Sequence, residues 1–181
     1  MTKRTDSRLR RRGQSLIEFT LVGIPLMFLL ISIFEISRGM WVYHTLAYAV
    51  KEGVRYAIVH GENCTQAPNT CVASISTIAL KIQDAGVGVD VRPGQTLLTF
   101  KSGGVGNPPI FATAETCYLG DTCSANIAQW PAFGPNQVGQ AIEIDIVTPF
   151  RSAIAMFWPG SRPTVWGAAN LGASSVERIQ F

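Results

Sequence analysis

The chain has 181 residues, 47% hydrophobic and 15% charged, enough for one modest domain with its own core and too little for two large ones. That composition excludes disordered, collagen-like and heptad-only architectures. The net charge of +3 is unevenly spread: residues 1–13 hold six basic groups against Asp6 alone, a net of +5, and the other 168 residues hold nine basic and eleven acidic groups, a net of −2. Nucleic-acid binding would rest on a tail, so the reading has no nucleic-acid partner.

After this basic leader the composition inverts. Gln14 to Phe34, QSLIEFTLVGIPLMFLLISIF, carries one charge, Glu18, followed by sixteen uncharged positions. At about 1.5 Å per residue the segment reaches roughly 31 Å, the hydrocarbon thickness of a bilayer, which predicts a single membrane-spanning helix in contact with lipid. The positive-inside rule keeps the leader cytoplasmic and puts everything after about residue 40 on the far side, with Trp41, Tyr43 and Tyr48 near the outer interface. A cleaved secretory signal is the weaker alternative. Ala47-Tyr48-Ala49 satisfies a small-x-small site, but the apolar run is too long and Glu35 and Arg38 intervene. A simple uncleaved anchor is the stronger rival.

Glu18 is costly in this position, because a carboxylate in hydrocarbon costs about 2.5 to 3.5 kcal/mol on insertion scales. It lies four residues after Gln14, on the same helix face. Cleavage after Gly13 would free an α-amino group on Gln14, and that ammonium could compensate the Glu18 of a neighbouring subunit. The bland alternative has Glu18 snorkelling toward the cytoplasmic interface near Arg12. Pro25 leaves the Leu21 carbonyl without its amide partner and favours a kink.

Beyond the span, Ile33, Ile36, Met40, Tyr43, Ala47, Val50, Val54 and Ala57 recur at alternating steps of three and four, predicting an amphipathic stalk that continues the helix to about residue 60. Gly39 and Gly53 weaken it by about 1 kcal/mol each relative to alanine. His60 reads as an exposed residue at the helix end, where a cation suits the dipole. The head begins near Gly61. Cys64 and Cys71 bracket one turn-rich loop and Cys117 and Cys123 another; three pairings are possible, and the two local ones are favoured. Neither pair has Cys-x-x-Cys spacing and His44 and His60 show no ligand repeat, so no metal site is read.

Val72 to Ala85, stopped by Gly86, predicts a second amphipathic helix. Val87 to Arg92 and Gln95 to Lys101 predict strands around Pro93-Gly94, and Ser102 to Pro109 a glycine-rich loop without phosphate-cradle features. Phe111 to Val138 reads as irregular. In Gln140 to Thr148, Ile142, Ile144 and Ile146 alternate with Glu143 and Asp145, a strand whose acids form a solvated face rather than a hydrolase pair. Pro149-Phe150-Arg151 then opens a loop, Ser152 to Trp158 forms a short helix, and Thr164 to Arg178 a strand pair or hairpin. The expected class is α+β: a long N-terminal helix, transmembrane then amphipathic, packed on a small, mainly antiparallel sheet. Its divisions are a leader at 1–13, a span and stalk at 14–60 and a head at 61–181.

Arg11-Arg12-Gly13-Gln14-Ser15-Leu16-Ile17-Glu18-Phe19 joins a basic leader, a glycine and a lone glutamate five positions later. This motif resembles the class III signal of type IV pilin-like proteins, which a membrane-embedded aspartyl prepilin peptidase cuts after the glycine. Over about residues 11–61 the chain is similar to the TadE-like pseudopilins of Tad, or Flp, pilus systems, in Glu18-Phe19, the Pro25 core, Glu35 to Gly39, and Lys51-Glu52-Gly53-Val54-Arg55-Tyr56-Ala57. The resemblance implies processing at Gly13 and Gln14 and filament docking through Glu18, with Phe19 beside it. It also implies prepilin peptidase, other pilin-like subunits and the pilus assembly machinery as partners, at the bacterial inner membrane. The length fits an accessory subunit better than a very small major pilin. No cofactor and no enzymatic activity are read, since no nucleophile with a base and no nucleotide loop emerges. The alternatives are an anchored binding or adhesin head, whose irregular loops would carry recognition, and an anchored extracytoplasmic enzyme.

Overall fold

The computed structural model describes residues 6–60, 73–89, 94–151 and 168–180. Its first element is one continuous helix, α1 (Asp6–Ile58), 53 residues or about 80 Å long. Gly13 lies within this helix rather than ahead of it, and Pro25 is inside it. Within Gln14–Ile58 a stretch is long and apolar enough to cross a membrane, and none of that stretch is buried.

The second half of α1 is a wall of the head's core. Leu46, Ala49, Val50, Val54 and Ala57 are buried against α2 (Ile75–Ala85) and the sheet. This corrects the predicted stripe in its first half. Ile33, Ile36, Met40 and Tyr43 are exposed, and the face turned to the head there runs through Glu35, Gly39 and Val42 instead. A 3.6-residue period specifies that an apolar face exists; where lipid and protein compete for the same residues, it does not specify which solvent covers them. Past the helix end His60 is half-buried, its ring over Tyr56 and its Nδ1–H donating to the Tyr56 carbonyl at 2.6 Å.

α2 starts three residues later than predicted because Ser74 caps it, its hydroxyl accepting from Thr77 N at 3.2 Å. Ile75, Ile78, Ala79 and Ile82 form its buried face, and Gly86 ends it. In the described part of the strand predicted after it, Val87 to Val89, the chain makes a turn and a bend instead, with Gly88 at φ +89. Residues 90–93 lie outside the described residues, as do Cys64, Cys71 and the predicted helix Ser152 to Trp158.

Four antiparallel strands, β1 (Leu97–Gly104), β2 (Thr113–Tyr118), β3 (Ala141–Arg151) and β4 (Ala168–Arg178), form one sheet in the order β2-β1-β3-β4. β2, with the short α3 (Thr122–Ala125), falls in the stretch read as irregular; as a mostly exposed edge strand it carries no apolar alternation to read. β1 runs past Lys101 into the predicted glycine loop through a register shift at Lys101/Gly104. Gly103 sits there at φ +73, where a Cβ would approach Pro135 Cβ at 2.9 Å.

β3 carries the alternation as read, with Ile142, Ile144 and Ile146 buried, but continues through Pro149 to Arg151. Its register with β1 ends at Val147, so Pro149 falls where one side of the strand has no β1 partner and a missing donor is tolerated. Within the described part of the predicted C-terminal hairpin there is one strand, β4, which passes Gly172 and pairs with β3 throughout. Leu98 and Phe100 of β1 complete the sheet's inner face, and Phe100 meets Trp130 edge-on at 5.2 Å between ring centroids. The disulfide Cys117–Cys123 ties β2 to α3 and is one of the two local pairings expected.

Candidate functional site

The N-terminal segment of α1 carries Gln14, Glu18 and Phe19 on a stretch of helix over which no described residue packs. Gln14 Nε2 donates to Glu18 Oε1 at 3.3 Å, the i,i+4 spacing bringing the two side chains together along one face. Phe19 is 77% exposed. Below its ring Gly23 leaves a shallow apolar groove, which continues through Met27 and Ile31. Hydroxyls in this part of the helix are satisfied internally: Thr20 donates to the Ile17 carbonyl at 2.9 Å and Ser32 to that of Phe28 at 2.8 Å. A segment whose polar groups are paired within its own helix is suited to lipid. Glu18 is the exception, an acid with an amide for company.

A second charged pair marks the boundary between span and head. Glu35 is buried, with Arg38 Nη2 3.3 Å from its Oε2, and the Arg38 guanidinium lies 4.6 Å over the Phe150 ring from the end of β3. The same ring packs on Gly39, where a Cβ would stand 3.7 Å away. The end of β3 is therefore held to α1 by a stacked cation. The i,i+3 spacing of Glu35 and Arg38 was visible in the sequence; the aromatic partner 112 positions later was not.

On the sheet's outer face Lys101 bridges both acids of β3, 2.6 Å from Asp145 Oδ2 and 3.4 Å from Glu143 Oε2. Phe111 lies over its other side. The acids are thus a half-buried, cation-centred cluster rather than the solvated face expected. Burial pushes the Glu143 carboxyl above the usual carboxylate range, helped by its hydrogen bond and repulsion with Asp145, and Lys101 only partly offsets this. The hydrogen bond to Asp145 raises the Lys101 ammonium above its ordinary value. The two acids share one cation, so the cluster ties β1 to β3 across the sheet face.

Residues 13–55 match the family model for TadE-like protein. The match opens on Gly13, takes in Gln14, Glu18, Phe19 and the Glu35–Arg38 pair, and ends at Arg55, so the TadE-like segment is the span together with most of the core-forming stalk. It bears out the resemblance read from the sequence over that stretch. No curated protein and no solved structure matches the chain.

Proposed function

We propose that the protein is a minor pilin-like subunit of TadE type, serving assembly of a Tad pilus or a related secretion apparatus. Prepilin peptidase hydrolyses the bond between Gly13 and Gln14, leaving a carboxylate on the basic leader and an ammonium on Gln14. That ammonium then compensates Glu18 of an adjacent subunit, which fixes axial register between neighbouring helices while removing a lone acid from lipid. The observation that carries the reading is the TadE-like match beginning at Gly13, on a helix that aligns Gln14 with Glu18. TadE-like proteins are structural pilus components, and the role assigned here requires no catalysis. The membrane topology that goes with it is a single pass, with the leader cytoplasmic and the head periplasmic.

Intact-mass measurement on protein purified from membranes tests processing. The expected N-terminus is Gln14, with Gly13→Ala retaining the full leader. A terminus at Val50 would assign the chain to secretory cleavage instead. Glu18→Ala is expected to be processed normally and to fail in supporting pili; normal piliation in that variant would remove the pairing role.

A further inference from the structure

The head reaches down α1 by two routes. From one side the end of β3 places Phe150 on Gly39 and Arg38. From the other, the turn after α2 follows α1 toward the span: Gly86 lies against Ala49, and a Cβ on Gly88 would stand 3.8 Å from Trp41 Nε1. The opposite pole of the head is fixed by Gln180, whose amide donates to the Ile58 carbonyl. Among the described residues, the base of the head therefore sits at residues 38–41 of α1, just beyond Phe34.

Glu35 does not end the apolar surface there. Its side chain is 9% exposed and paired with Arg38, so from Phe34 to Trp41 α1 shows Ile36, Met40 and Trp41 outward, with Ser37 and part of Arg38 among them. Seven residues of helix rise about 10 Å, which spans the headgroup layer of about 5–7 Å flanking the hydrocarbon core. Val87, adjoining the Gly88 that approaches Trp41, is 75% exposed, and Trp41 is 64% exposed. Water is a poor partner for such a surface, and its continuity with the span selects lipid over a separate protein.

We infer that the base of the head is a bilayer contact, with Met40, Trp41 and Val87 seated in the interface of the outer leaflet. The head is thereby held against the membrane before it joins any filament. This rests on the membrane-spanning reading of α1, and the test separates the two. In the full chain, a photo-crosslinking amino acid replaces Val87 or, as control, Ile110, which is 80% exposed near the opposite pole, paired with Val105 close to Arg178. Each variant is reconstituted in vesicles of phosphatidylethanolamine and phosphatidylglycerol, washed with alkaline carbonate and irradiated. The expected result is retention of both variants and lipid-mass adducts from position 87 at several times the yield from 110. Retention with equal yields, or adducts at 87 with protein only, overturns the contact and leaves the span standing. Release by carbonate overturns both.

Discussion

At Gly53 the absence of a side chain sets how closely two helices approach. A Cβ there would lie 2.5 Å from Ile82 Cγ1 and 2.8 Å from its Cδ1, so α1 and α2 touch across this residue. Gly53→Val is expected to destabilise the head by about 1–3 kcal/mol through overpacking, despite leaving a helix-unfavourable glycine behind. In a double-mutant cycle, Gly53→Ala with Ile82→Ala should cost less than the two single changes summed, since the second vacates the space the first fills. The Lys101 cluster supplies a test of sign. Glu143 has a raised folded value, so its contribution is fully present below the ordinary 4.5 and is lost as pH climbs through the raised value. Thermal melts of Glu143→Gln should therefore gain on the parent protein from acid to neutral pH. Asp145→Asn, which removes the closer partner of Lys101, should lower Tm at neutral pH.

At the scale of elements, β2 and α3 owe their positions to partners distant in sequence. The Cys117–Cys123 bridge closes a short loop, and replacing both cysteines with serine should cost about 2 kcal/mol by loop-closure entropy, read as a lower Tm. β3 was legible because its three isoleucines alternate under a single rule, and α2 because serine and glycine cap a regular apolar face. β2 was not legible: Thr113-Ala114-Glu115-Thr116 is held by register with β1 alone and buries almost nothing. The extension of β1 into Ser102-Gly103-Gly104 was hidden by glycines that usually announce a loop and here permit a register shift against Pro135. The Gln14–Glu18 alignment could be read because it is local to one helix, and the Phe150 clamp on Arg38 could not, because two elements must fold before they meet.

For the whole molecule, α1 belongs to two environments at once. Residues 46–58 supply one wall of the hydrophobic core, with Leu46, Val50 and Val54 fully enclosed. A chain beginning at Gly39 is expected to retain a cooperative thermal transition with a near-UV signal from Trp130. One beginning at Gly61 should lose both, because the isoleucines of α2 and β3 would face water. Within the full chain Leu46→Ala should cost about 2–5 kcal/mol, measured by denaturant unfolding in detergent.

The unbroken run of α1 from the leader into the core also decides how the molecule bears load. Where a globular unit hangs on a loose tether, tension first straightens the tether. Here the helix that enters the core is the same element that leaves the head, so tension on α1 arrives directly at the interlocked Gly53–Ile82 seam.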